Sequence, residues 1–170
     1  MAHYDLSLDP AFHPEMGILL SALDDSTREW KDYLEKPTVE AITWQPAEKS
    51  HSIGGCLLEI AAVEVYWFEQ FLAKMPEKDE DKETFLSGQW DIDNGTWPTP
   101  HAQPIEWYFD VLTKVRERSK RALMGIDPHQ IFERKNGFSC TARWVVAHVV
   151  EHDSYHGGQA VLLHELWKKR

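Results

Sequence analysis

The stretch from Ser139 to Trp167 constrains this chain more than any other. Val145, Val149, His152, His156, Leu163 and Leu166 recur there at separations of three, four or seven residues, which marks one face of a single long helix. Ser139 suits its start, because a serine oxygen accepts an orphan amide hydrogen bond in the first turn. Two histidines therefore lie one turn apart on the stripe that faces the core. A lone histidine on such a stripe is ordinarily a hydrogen-bonded core residue. Two of them change the reading, because burying unpartnered imidazoles costs free energy and the i,i+4 spacing lets both nitrogens point at one ion. The stretch reads as a candidate metal site on a core helix.

A helix this long must bury its stripe against partners, and the rest of the chain supplies three. From Pro14, the residues Met16, Leu19, Leu20, Leu23, Thr27, Trp30 and Leu34 form a helical stripe over 14–35, with Pro14 suited to a first turn and Pro37 beyond the far end. Ser52 caps a second helix over 52–74, whose middle, Cys56 to Phe68, is apolar nearly all round and so buried. Ile105, Tyr108, Leu112, Val115, Ser119 and Leu123 form a third stripe over 104–124. The long helix over 139–167 is the fourth. No convincing strand and no internal repeat is present. The expected fold is all-α, one domain over 1–170 built as a four-helix bundle. The long connection 75–103 can carry the chain across the bundle so that the second and third helices run parallel, and its tryptophans, Trp90 and Trp97, can roof a pocket.

Several features read as solvated surface. The charged run Glu77 to Glu83 and the cluster Lys114, Arg116, Arg118, Lys120 and Arg121 are of this kind, the second also weakly suited to an anionic substrate. The order Asp91-x-Asp93-Asn94-Gly95 resembles a calcium loop but lacks the later glutamate. A net charge of −10 argues against a polyanionic partner, so no nucleic acid is expected. No apolar run approaches the roughly 20 residues that cross a bilayer, and no basic-then-apolar leader opens the chain, so no membrane partner is expected either. Cys56 and Cys140 form no zinc-finger or redox pattern, and a reducing cytoplasm is the simplest setting.

A third ligand for the histidine pair must come from a facing helix. Glu59 and Glu64 interrupt the apolar second helix five residues apart, roughly 140° around an ideal helix. Glu64 is more easily solvated, whereas Glu59 shares a face with Cys56, Val63 and Tyr66 and points inward. An inward carboxylate needs a partner, and a divalent cation serves. Two imidazoles and one carboxylate suit zinc with an open position, and also iron, nickel or manganese. The candidate metal ligands are Glu59, His152 and His156, with His51 in reserve. His148 reads as a second layer or core, Cys56 as packing near the site, and Gly157 with Gly158 as a place where another backbone comes close.

With these motifs in hand, the chain resembles the DinB/YfiT-like family of metal-dependent enzymes. His148-Val149-Val150-Glu151-His152-Asp153-Ser154-Tyr155-His156-Gly157-Gly158-Gln159 is similar to the family signature of His-x-x-x-His followed by Arg-Gly-Gln. Ser52-Ile53-Gly54-Gly55-Cys56-Leu57-Leu58-Glu59-Ile60-Ala61 is similar to its second-helix motif, with Trp44-Gln45-Pro46 ahead of it. The resemblance spans the whole chain and implies an up-down-down-up bundle that binds zinc or nickel through three histidines. Two of these carry over to His152 and His156. The third falls on Glu59, and Gly157 stands where arginine is usual. The resemblance further implies a transferase or isomerase acting with a low-molecular-weight thiol. The expected function is a metal-dependent enzyme, a thiol S-transferase or a hydrolase, whose small-molecule substrate enters beneath the tryptophan-rich link. Because relatives often pair and eight tryptophans are many for one small core, a homodimer is expected. The rival reading is a non-catalytic, stress-associated binding or dimerising bundle with a vestigial metal site.

Overall fold

Side-chain caps and turn residues set the helix limits in the computed structural model, which describes residues 5–34, 36–91, 93–134 and 137–170. Helix α1 (Pro14–Tyr33) opens with His13 Nδ1 accepting from the Glu15 amide at 3.3 Å. A short α2 (Val39–Thr43) follows, capped by Thr38. Helix α3 (Ile53–Glu64) begins as expected, Ser52 Oγ accepting from the Gly55 amide at 3.0 Å, and continues as π-helical turns over Val65–Leu72. The connection holds a short α4 (Asp79–Thr84), and α5 (Ile105–Ala122) comes next. Strands β1 (Ile131–Glu133) and β2 (Ser139–Thr141) then pair antiparallel, and α6 (Ala142–Trp167) closes the chain.

The hairpin corrects two expectations. Strands were not anticipated, because three residues are too few to show a period of two. Phe132 and Cys140 nonetheless face each other in register and point into the core. Since β2 takes up Ser139, the cap of the last helix is Thr141, whose hydroxyl accepts from the Trp144 amide at 3.3 Å.

Cross-helix contacts fix the directions. Glu15 meets Arg143 and Trp30 meets Asp153, so α1 and α6 run parallel. Trp67 meets His148 while Cys56 meets Gln159, so the second long helix is antiparallel to α6. Glu64 meets Arg116 and Glu69 meets Arg118, with Gly54 against Tyr108, so α3 and α5 are parallel. Asp24 meets Arg116 and Trp30 meets Phe109, so α1 and α5 are antiparallel. This is the up-down-down-up order.

The core lies in two halves. One holds Met16, Leu20, Leu23, Phe68, Leu72, Val145 and Val149; the other holds Trp30, Leu34, Ile53, Leu57, Leu112 and Leu163. Between them every long helix contributes a polar residue to one layer. Arg116 Nε donates to both oxygens of Glu64 at 2.9 and 3.0 Å, and its Nη1 donates to Asp24 at 2.7 Å. Asp153 accepts from Ser26 at 2.6 Å, Thr27 at 2.7 Å and Trp30 at 2.9 Å. Glu64 is therefore not solvated: it is 1% exposed, and burial pushes its carboxyl above the usual range against the pull of Arg116.

The supposed solvated faces are partly interior for the same reason. Arg118 donates to Glu69 at 2.8 Å and to Asp81 at 2.6 Å, which ties α4 to α5. Glu64 and Glu69 are five residues apart, a spacing that an α-helix splays by roughly 140°. The wider π turns between them keep both carboxylates toward α5. Among the described residues, no helix is long and apolar enough to cross a membrane, and both cysteines are free and buried.

Candidate metal centre

Residues one turn apart on α6 share a face, so His152 and His156 stand together, ring centroids 5.8 Å apart. His156 is buried and His152 partly so. Burial pushes both imidazoles down to about 4, so each is neutral at physiological pH and keeps a lone pair. Each ring is held by the residue three positions on. Tyr155 Oη lies 3.0 Å from His152 Nδ1, and Gln159 Oε1 lies 2.8 Å from His156 Nδ1. An amide oxygen only accepts, so His156 carries its proton on Nδ1 and its lone pair on Nε2. That is the outer support metal-bound histidines ordinarily have.

Glu59 lies on α3, the helix packed antiparallel on this part of α6, and is 7% exposed. Among the described residues no group donates a hydrogen bond to it, and burial pushes its carboxyl up to about 7. Its charge is felt by two neighbours. The Cys56 thiol is pushed up to about 12, by burial first and then by Glu59, and the Tyr155 phenol is raised by burial, Glu59 and Cys56. Cys56 Sγ also lies 4.0 Å from Gln159 Oε1, so it packs beside the site as an inert thiol.

The tryptophan-rich link covers this region. Trp97 lies 5.5 Å from His156 and 5.0 Å from Trp90. His51 packs on Trp97 at 3.7 Å and lies 6.3 Å from His156, its imidazole lowered by burial. The Trp97 amide and carbonyl are tied to Lys49 and Gln45, which holds the cover to the turn before α3. His148 stacks on Trp144 at 4.8 Å and lies outside the pair.

The structure thus brings the two histidines together and sets Glu59 on the facing helix. Among the described residues, no three histidine, cysteine, aspartate or glutamate side chains stand within coordinating reach of one point. The donor chemistry fits a divalent cation: two neutral imidazoles, each steadied through Nδ1, and one buried carboxylate without a donor.

Tyr155, Gln159 and Asp153 did not stand out in the sequence. The first two had a signal, since each lies three residues beyond a histidine, within side-chain reach on a helix. The close approach at Gly157 comes from a side chain: a Cβ there would lie 2.2 Å from Trp30, whereas Gly158 has open space.

Fold and histidine pair together define a helical bundle of the DinB/YfiT-like class. Within that class, the mycothiol-S-transferase family profile matches residues 18–168, and the chain belongs to that family. No curated protein matches the chain.

Proposed function

We propose that this protein is a metal-dependent S-transferase that uses a low-molecular-weight thiol, mycothiol being the one its family name supplies. The observation that carries the reading is the donor set: Glu59 buried without a hydrogen-bond donor, opposite His152 and His156, both neutral. These three residues would hold zinc or nickel; a carboxylate, being a harder ligand than imidazole, also suits iron or manganese. Bound there, a divalent ion supplies Lewis acidity that favours the thiolate of a small thiol at neutral pH. Tyr155 and Gln159 orient the imidazoles, and Trp97 with His51 excludes water from one side. The buried free thiols suit a reducing cytoplasm.

Pairing of two copies belongs to the same reading, supported by exposed Ile18 and Tyr33 on α1 and Leu162 and Leu166 on α6. Light scattering that returned the mass of one chain would remove it. The main test is metal analysis of protein purified without a histidine tag, followed by a transfer assay with mycothiol and an electrophilic acceptor. One ion per chain and metal-dependent turnover are expected. Protein that takes up no ion at any pH would overturn the reading.

A further inference from the structure

Arg116 bridges two helices that otherwise stand apart. Helix α1 packs along α6 and α5 packs along α3, but α1 and α5 hardly meet except through long side chains. The groove this leaves holds a cavity of about 330 Å³. Leu112 and Arg116 form its floor; Thr27 and Lys31 on α1, with Thr113 and Glu117 on α5, stand along its walls. None of these residues belongs to the candidate metal centre, and the proposed transfer leaves the groove unused.

Lys31 stands half-buried in this groove, its ammonium 4.2 Å over the Phe109 ring of α5. Arg28 and Asp32 flank it on α1; Arg116 and Glu117 share the groove from α5, where Asp110 also lies within electrostatic range. Among the described residues no carboxylate comes within ion-pair distance of it, whereas Lys82, Lys120 and Lys168 each meet one. What Lys31 has beside it is a second cation, Arg116, anchored by Glu64 and Asp24 and unable to turn away. Burial first, and Arg116 second, lower the Lys31 ammonium below the usual lysine range against the pull of Asp110 and Asp32. The Phe109 face favours the ammonium, but an aromatic ring joined to Nζ can stack on that same face. A lysine partly desolvated next to another cation, with room for an electrophile, is arranged as a nucleophile.

We propose that the α1–α5 groove is a covalent site for small, uncharged aromatic aldehydes, which condense with the Lys31 amine. The cations of the cavity, Arg28, Lys31 and Arg116, are matched by Asp24, Asp32 and Glu117, so a charged group on the ligand finds no net attraction. In the reaction the ammonium first gives its proton to solvent. The Nζ lone pair then bonds to the aldehyde carbon, the carbonyl oxygen leaves as water with the two amine hydrogens, and a C=N bond remains. No oxidant or reductant takes part, and the step reverses when water returns. The groove needs neither metal nor thiol, so this site does not rest on the transferase reading.

The test exposes chelator-treated full-length protein at pH 7 to benzaldehyde with sodium cyanoborohydride, which reduces each imine to a stable benzylamine. Peptide mass mapping then gives a labelling rate at every lysine. Lys31 should be labelled at least about tenfold faster than the exposed Lys49, Lys114 and Lys169. Its rate should saturate with benzaldehyde, as binding before reaction requires, while theirs rise linearly. Thr113→Phe fills the groove from its exposed wall and should slow Lys31 alone, with circular dichroism checking the fold. Should that variant fail to fold, the parent's rates decide alone. Labelling of Lys31 no faster than of those three lysines, a rate that stays linear, or a folded Thr113→Phe that labels Lys31 unchanged would overturn the proposal. Because no metal is present, failure of the metal site leaves this measurement unaffected, so the two readings fail separately.

Discussion

Replacing Glu59 by glutamine in metal-free protein isolates what the buried carboxylate costs. Its midpoint stands at about 7 in the fold against an ordinary 4.5. That difference corresponds to about 3 kcal/mol against the folded state once the group ionises. At 7% exposure, little solvent screening reduces the figure. For an acid whose folded midpoint is raised, the cost is absent below the unfolded value, develops as pH rises from about 4.5 to 7, and is complete above that. Glutamine keeps the shape and cannot ionise, though its amide carries its own burial cost at every pH. The readout is therefore the slope. Between pH 5 and pH 8, Glu59→Gln should gain about 2 to 3 kcal/mol relative to the parent. Urea titrations at several pH values after chelator dialysis measure it. Saturating zinc should reverse the order, since an ion that binds the native state stabilises the parent more than a variant lacking a ligand. A parent-to-variant difference that stays flat with pH would refute the argument that the carboxyl is buried without compensation. A zinc effect equal in both proteins would remove Glu59 from the ligand set.

Gly157→Ala should destabilise by about 1 to 3 kcal/mol through overpacking against Trp30, whereas Gly158→Ala should stabilise by up to about 1 kcal/mol through helix propensity; thermal melts of the two compare them directly. Arg116→Met leaves Glu64 buried and unpaired and should cost about 3 to 5 kcal/mol in chemical denaturation, with much of the loss recovered by adding Glu64→Gln. Tyr155→Phe removes the contact to His152 Nδ1 and should weaken metal affinity about 10- to 100-fold with little change in melting of the metal-free protein.

The bundle was legible because burial on four long helices leaves a period of 3.6 that short range alone can reveal. The pair His152 and His156, the inward Glu59 and the cap at Ser52 followed from the same spacing. Glu64 was misplaced because its surroundings depend on Arg116, 52 residues away in sequence. Spacing within one helix shows that an acid interrupts an apolar run, but not that a guanidinium from another helix is waiting for it. The mid-bundle layer was hidden likewise, since the polar residues that each helix contributes to it look like ordinary surface in sequence. The hairpin and the π turns escaped for a different reason. Three-residue strands carry no period, and a local widening of a helix alters register without altering composition.

The histidine pair and Gly157 sit on adjacent faces of α6, and the structure relates them. Successive residues on a helix turn by about 100°, so His152 and His156 occupy one stripe while Asp153 and Gly157 occupy the next. The second stripe packs on α1: Asp153 receives Ser26, Thr27 and Trp30, and the Trp30 ring fills the space where a side chain at 157 would lie. A side chain as large as arginine has no room at 157 while Trp30 bonds Asp153. The buried contacts of Asp153 and Gly157 fix the rotation of α6 about its axis, and that rotation sets which way both imidazoles point. Glycine at 157 therefore serves the histidines beside it through the helix they share, by leaving room for the Trp30 ring that bonds Asp153.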